Sequence, residues 1–317
     1  MASNLNKKGL VAVSDKIILA AQPALEMVKL FVTDFSTDPG KQYETVNVKV
    51  LSGEAHDFVK GTANYSKGKG KADFADIILA NHKVSNWTFD DIDALEDDIA
   101  PIWDNLGRSA GRALGKAFVK AAMDLLVYDK AEAQKTVSTS TFADFVKFRS
   151  AVEAAGYDPA DTVLLLEPTT YDTLLGLLDF KATGQSEVVE GGIIGRRLGF
   201  AAILNAPNAS KISGAASGGV SPEKGVGFAV PMGAIGFANR YKAPVRGAVG
   251  NLIEAGYTVD EETGIVIGTR VVVNQDDGEV TWNAETLFGA ALMKQSHTIS
   301  GSATPNGAPG FVQLVTA

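Results

Sequence analysis

The longest periodic pattern in the chain is a run of apolar positions spaced by three or four residues: Ile92, Leu95, Ile99, Ile102, Leu106, Ala110, Leu114, Phe118, Ala121 and Leu125. That repeat lines one face of an amphipathic helix. Asp98 is placed to cap its main part and Pro101 suits the first turn, or else marks a kink after a short preliminary turn. From Pro101 to Tyr128 the helix would be about 42 Å long, more than one small core requires. Gly107, Gly111 and Gly115 fall every four residues, so one stripe of this helix is bare backbone. Each glycine costs about 1 kcal/mol relative to alanine, and the stripe therefore predicts close packing against a strand or a neighbouring subunit. A membrane-dimer reading is excluded by the interleaved Arg108, Arg112, Lys116 and Lys120.

Before this helix the pattern is extended. Residues 1–41 hold one apolar run ending at Phe31 and then the breakers Ser36-Thr-Asp-Pro-Gly40, which read as an arm leading into a turn. From residue 42 to 91, Val46, Val48 and Val50 alternate along one strand and Phe74 to Leu79 form another. Between them lies a glycine- and lysine-rich tip, Lys60 to Lys71. After the helix, Phe142 to Val152 is helical, Thr162-Val-Leu-Leu-Leu-Glu167 is a buried strand, and Tyr171 to Phe180 is helical again. Strands follow at Leu198–Leu204, Val226–Val230 and Ala234–Ala238. Ile253–Val259, Ile265–Asn274 and Glu279–Trp282 form a meander joined by Asp260-Glu-Glu-Thr-Gly264 and Gln275-Asp-Asp-Gly278. The tail after Gly301 is small, polar and broken by Pro305 and Pro309.

Composition narrows the chemistry. The 317 residues are 45% hydrophobic and 21% charged, enough for a substantial core, and no segment reaches the roughly 18 consecutive apolar residues of a membrane span. The chain reads as mature, soluble sequence without membrane contact. A net charge of −8 argues against a protein that coats nucleic acid through general basicity. The absence of cysteine excludes disulfides, thiolate metal sites and thiol nucleophiles, and only His56, His82 and His297 offer imidazole.

No arrangement of residues forms a recognisable active site. Ser66-Lys-Gly-Lys-Gly-Lys71 lacks the phosphate-loop spacing, and Gly191-Gly-Ile-Ile-Gly195 lacks the dinucleotide spacing. The acids Asp90, Asp91, Asp93, Glu96, Asp97 and Asp98 crowd the start of the long helix, where they complement its dipole in solvent. His82 stands at no metal-ligand spacing from them, and no nucleophile elbow exists. No catalytic residue, metal or cofactor is expected.

The order of elements, together with three motifs, resembles the major capsid proteins of tailed bacteriophages, the Hong Kong 97-like family. Thr162-Val-Leu-Leu-Leu-Glu-Pro-Thr-Thr-Tyr-Asp-Thr-Leu-Leu175 looks like that family's strand, proline, tyrosine and double-leucine helix. Val188-Val-Glu-Gly-Gly-Ile-Ile-Gly-Arg-Arg-Leu-Gly-Phe200 and the following Ala-Ala-Ile-Leu-Asn-Ala-Pro207 look like its glycine-marked turn and strand, and Ala284 to Leu292 is similar to its closing segment. The resemblance implies an α+β fold. Its parts would be an N-terminal arm (1–41), an extended β loop (42–91), a peripheral domain holding the spine helix and meander (92–135 and 236–300), an axial domain (136–235) and a C-terminal tail (301–317).

The function implied is a structural coat protein, not an enzyme. It would assemble with itself into pentamers and hexamers of an icosahedral shell, in the host cytoplasm, and end in the virion. A separate scaffolding protein, a portal protein and a decoration protein are the implied partners, and packaged double-stranded DNA would meet the wall weakly, at residues such as Lys7, Lys8 and Lys16. An isolated β excursion cannot bury its apolar face alone, so Val46, Val48, Ile77 and Leu79 are expected to need a partner surface. The tip lysines Lys60, Lys67, Lys69 and Lys71 are expected either to meet acids of the next subunit or simply to keep the tip soluble. Asp90, Asp91, Asp97 and Asp98, or Asp276, Asp277 and Glu279, would supply those acids. Some family members crosslink lysine to asparagine; no partner asparagine or catalytic acid is matched here, and no crosslink is expected. Three rivals stand beside this reading: an encapsulin-type compartment shell, an enzyme with carboxylates across a subunit boundary, and a tail-tube protein.

Overall fold

A computed structural model of the chain describes residues 3–30, 32–34, 43–52, 71–89, 99–127, 130–178, 193–195, 198–206, 225–242, 252–259, 264–273, 279–294, 296–299, 302–305 and 308–316. The first part runs α1 (Ser3–Lys29), β1 (Val32–Asp34), β2 (Thr45–Ser52), β3 (Lys71–Ile78), β4 (Asn81–Phe89) and α2 (Ile99–Met123). Next come β5 (Ala133–Val137), α3 (Phe142–Glu153), β6 (Thr162–Leu166), α4 (Pro168–Leu177), β7 (Ile193–Gly195), β8 (Ala202–Asn205) and β9 (Gly225–Pro231). The chain closes with β10 (Ile235–Arg240), β11 (Leu252–Val259), β12 (Val266–Val273), β13 (Val280–Leu292), β14 (Ser296–Ile299), β15 (Ser302–Pro305) and β16 (Val312–Thr316). The class is α+β, with antiparallel pairing dominant.

One sheet has the order β1-β10-β13-β12-β11, with β4 also paired to β13. Alternation along β13 decides its layers: Trp282, Ala284 and Phe288 point to one side and Leu287 to the other. On the first side lie α1 and α2, which contribute Ile17, Ala21, Leu25, Ala110, Leu114 and Phe118. Phe118 is the centre of that layer, with edge-on ring contacts to Phe237 at 5.4 Å and to Phe288 at 4.7 Å. On the other side the β2–β3 hairpin lays Val48, Ala75, Ile77 and Leu79 over Ala238, Leu287 and Met293. The body is thus helices, sheet, hairpin.

The second sheet has the order β5-β16-β9-β6-β8-β7. Every residue of β6 is buried because both of its faces are covered. Val163 and Leu165 meet Ala122, Met123 and Leu126 at the end of α2, whereas Leu164 and Leu166 meet Phe145, Phe148 and Leu174 of α3 and α4. Helix α3 starts with a reciprocal capping box in which the Thr141 hydroxyl accepts from the Asp144 N–H and the Asp144 carboxylate accepts from the Thr141 N–H. Pro168 opens α4 at its first turn, so that helix begins and ends earlier than the apolar spacing predicts. The turn before β8 uses two left-handed residues, Leu198 at φ 54° and Gly199 at φ 83°, which delays the strand from Leu198 to Ala202.

Three segments differ from expectation. The N-terminal arm is a 27-residue helix that includes Pro23 and docks on α2. The tail contains β16, whose Val312, Leu314 and Val315 are buried between β5 and β9. The closing strand β13 runs 13 residues without interruption instead of stopping at Trp282. In each case a tertiary surface supplies the apolar contact that the local pattern leaves undecided.

Candidate assembly surface

The β2–β3 hairpin has two chemically distinct faces. Its register pairs Thr45 with Ile78, Asn47 with Asp76 and Lys49 with Phe74 on one side, and Val46 with Ile77 and Val48 with Ala75 on the other. The valine face is turned onto the body. Val48, Ala75, Ile77 and Leu79 are each less than 9% exposed, which corrects the expectation that Val46, Val48, Ile77 and Leu79 lack a partner in their own chain. The opposite face stays open, with Phe74 49% and Ile78 53% exposed and Tyr43, just before β2, 70% exposed.

Three features hold the hairpin root in place. Backbone hydrogen bonds run from Tyr43 N–H to the Leu79 carbonyl and from Leu79 N–H to the Glu44 carbonyl, both 2.9 Å. The Arg240 guanidinium of β10 reaches the Glu44 carboxylate at 2.9 Å. Third, Gly289 of β13 lets the hairpin backbone approach so closely that a Cβ there would lie 2.1 Å from the Ile78 carbonyl oxygen. Tyr43, Glu44, Leu79 and Arg240 stand out from neither charge nor motif. Gly289 carries the one usable signal, a glycine inside an otherwise apolar strand.

Beside the hairpin, Glu285 of β13 is buried and joins a guanidinium and an imidazole. Its carboxylate meets the Arg270 guanidinium of β12 on one oxygen and the His82 imidazole of β4 on the other, the latter at 2.9 Å. Three strands are joined by this group. A second buried network lies one residue on, where the Asn239 amide donates to the Thr286 hydroxyl at 2.5 Å and accepts from the Val266 N–H. A third cluster links the two sheets: Glu132, before β5, binds Lys294 and Tyr157, and the Tyr157 hydroxyl accepts from the Gly310 N–H at 3.0 Å.

The glycine stripe of α2 faces α1, which runs parallel to it. A Cβ at Gly111 would fall 2.1 Å from the Ile17 carbonyl oxygen, and one at Gly115 would fall 3.0 Å from the Ala24 Cβ. Gly107 is buried on the same stripe. The neighbour at Gly111 and Gly115 is therefore a helix of the same chain, neither a strand nor a second subunit.

Most of the charged residues assigned to subunit contacts lie outside the described residues: Lys60, Lys67, Lys69, Asp90, Asp91, Asp97, Asp98, Asp276 and Asp277. Lys71 begins β3 opposite Ser52, and Glu279 stands half-buried just before β13. Among the described residues no group of three His, Asp or Glu side chains could hold a metal ion, and no helix is long and apolar enough to cross a membrane.

No protein-family model matches the sequence, and no curated protein matches it. Solved structures do. The chain is similar to a structure from Mycobacterium phage Che8, at 15% identity and TM-score 0.46, covering 84% of each chain. It is similar to the head structure of Helicobacter pylori bacteriophage KHP40, at 13% identity and TM-score 0.48, covering 90% of this chain and 87% of that one. It is also similar to a virus-like particle from Pyrococcus furiosus, at 12% identity and TM-score 0.45, covering 95% of this chain and 98% of that one. These neighbours are a phage structure, a phage head structure and a virus-like particle.

Proposed function

We propose that this chain is the coat subunit of a closed icosahedral shell, the major capsid protein of a tailed bacteriophage, built as pentamers and hexamers around double-stranded DNA. The single observation that carries the reading is the open face of the β2–β3 hairpin. Phe74 and Ile78 place two large apolar side chains on one solvent-facing surface, with exposed Tyr43 just before β2, while the reverse face is already committed to the chain's own sheet. A two-layered tongue of this kind is stabilised by covering its second face, and identical subunits in a closed ring supply the cover. The element order supports the same reading: hairpin, spine helix, a second sheet with its own helices, and a return through the meander to the spine.

The role is structural and not catalytic. Lys60, Lys67, Lys69 and Lys71 pair with Asp90, Asp91, Asp97, Asp98 or with Asp276, Asp277, Glu279 of the next subunit and set register. Each such pair is worth about 0–1 kcal/mol, multiplied by the copies in a shell. Assembly takes place in the host cytoplasm, with a scaffolding protein, a portal and a decoration protein as partners. The second reading, a compartment shell with an enzyme cargo, uses the same hairpin surface and differs in its contents.

The test is the double variant F74S/I78S, followed by sedimentation velocity and circular dichroism. The parent is expected to sediment as large closed assemblies and the variant as small oligomers with unchanged secondary structure. Assembly of F74S/I78S indistinguishable from the parent would refute the assignment of this face.

A further inference from the structure

The open hairpin face joins one copy to the next through two different patches, and contacts of that head-to-tail kind close into separate rings. A shell also needs its rings fastened to one another, and contact across a twofold axis uses the same patch on both copies. Strand β4 meets this second requirement. It is nine residues long, about 30 Å, and pairs along its full length with β13 on one side, from Phe89 with Val280 to Asn81 with Phe288. Among the described residues no strand pairs with its other side. The devices that protect a free edge are few here: the register runs without a bulge, no proline falls in Asn81–Phe89, and Lys83 is the strand's one permanent charge. The strand is nonetheless fixed in place, by the His82–Glu285 bond at 2.9 Å and by the Thr88 and Thr281 hydroxyls at 3.2 Å.

We infer that β4 of one copy pairs antiparallel with β4 of a second copy across a twofold axis centred on Ser85, so that the first sheets of two subunits in neighbouring rings become one continuous sheet. The ring-to-ring role rests on the shell reading above. Ser85 is the midpoint of the strand, so centring there pairs all nine residues. Opposed residues of antiparallel strands share a face of the sheet, and in this register Val84 meets Asn86, His82 meets Thr88 and Lys83 meets Trp87. The single cation then stands opposite an aromatic residue and not opposite its own copy. Val84, 48% exposed, gains a neighbour. At the centre, Ser85 is flanked on its own sheet by Ala284, so small side chains line the point where the two strands cross the axis.

The chain has no cysteine, which makes a single introduced thiol a ruler for this contact. Opposed residues of antiparallel strands bring their Cα atoms to about 4.5–5.5 Å, inside disulfide range. The full-length S85C variant, at concentrations that give assembly and with oxidised glutathione present, is expected to run as a covalent dimer on a non-reducing gel. It should give roughly ten times the dimer of K83C and T88C, whose like positions stand about 13 and 20 Å apart in this register. In the parent chain, assembly is expected to slow hydrogen exchange at the β4 amides that β13 does not bond, a readout that needs no variant. No dimer from S85C, or equal dimer from all three variants, overturns the inference, as does unchanged β4 exchange on assembly. Slowed exchange without a crosslink at position 85 also overturns it and assigns the edge to a different strand of the neighbouring chain. Electron microscopy separates this contact from the shell reading: S85C dimers without shells uphold the pairing and contradict the shell, whereas shells in which S85C stays monomeric do the reverse.

Discussion

Replacing Gly111 by alanine tests whether α1 belongs on the spine helix. The added Cβ would lie 2.1 Å from the Ile17 carbonyl oxygen, 2.9 Å from the Ala20 Cβ and 3.0 Å from the Ile17 carbonyl carbon. A backbone carbonyl cannot rotate away as a side-chain tip can, so α1 must retreat by roughly 1 Å to restore an ordinary contact. That retreat loosens Ile17, Ala21 and Leu25, all at most 2% exposed. Overpacking of this sort costs about 1–3 kcal/mol. Complete loss of α1 docking would forfeit about 1.5–3 kcal/mol for each large side chain, while the glycine-to-alanine change returns about 1 kcal/mol of helix propensity. Because the clash is with backbone, the upper end of the overpacking range applies, and about 3 kcal/mol less about 1 kcal/mol of propensity leaves a net destabilisation of about 2 kcal/mol. Gly115 is the internal control. Its Cβ would meet the Ala24 Cβ at 3.0 Å, the Ala21 carbonyl oxygen at 3.4 Å and the Ala21 Cα at 3.5 Å, so G115A is expected within about 1 kcal/mol of the parent. Denaturant unfolding followed by tryptophan fluorescence reads both variants, because Trp282 lies in the core that α1 covers. Hydrogen exchange over residues 3–29 localises the effect. A G111A variant as stable as the parent, or less perturbed than G115A, would refute the packing argument.

Other outcomes follow from the same geometry. G289A is expected to lift the hairpin root from β13, seen as faster hydrogen exchange at 43–52 and 71–79 and a destabilisation of about 2 kcal/mol, since the added Cβ would strike the Ile78 carbonyl at 2.1 Å. E285A leaves the Arg270 and His82 side chains, only 17% and 20% exposed, without their shared carboxylate; thermal unfolding should report a loss of about 3 kcal/mol, against under about 1 kcal/mol for H82A. T141A removes the α3 cap at a cost of about 1 kcal/mol in chemical denaturation. The Thr141 hydroxyl first, and then Lys147, holds the Asp144 carboxyl below its ordinary value. A lowered folded pKa contributes stability above the unfolded value near 4 and loses it as pH falls through the folded value. The difference in unfolding midpoint between parent and D144N should therefore shrink on acidification below about pH 4.

What the sequence made legible were elements whose local pattern and tertiary role agree. Helix α2 declares itself through Ala110, Leu114 and Phe118, and β6 through an unbroken apolar run, because each buries the face its own spacing marks. Helix α1 was illegible for the opposite reason. Ile17, Ala21, Leu25 and Val28 are spaced for a helix, but Gln22-Pro23 interrupts the reading, and only the glycine stripe far along the chain, Gly111 against Ile17 and Gly115 against Ala24, provides the groove that makes the helix worth forming. Strand β16 is five residues long and gains its identity from β5 and β9, which are distant in sequence. At the candidate surface the two faces of the hairpin were visible as alternation. Which face the chain would cover was not, because that depends on Gly289 and on Ala238 and Leu287 across the sheet.

The central claim is that the chain finishes its structure by tiling with copies of itself. Electron microscopy of the purified full-length protein at increasing concentration, without any partner, addresses it directly. Hollow polyhedral shells, or rings of five and six subunits, are the expected images; uniform single subunits at every concentration, with Phe74 and Ile78 still open to solvent, would contradict it.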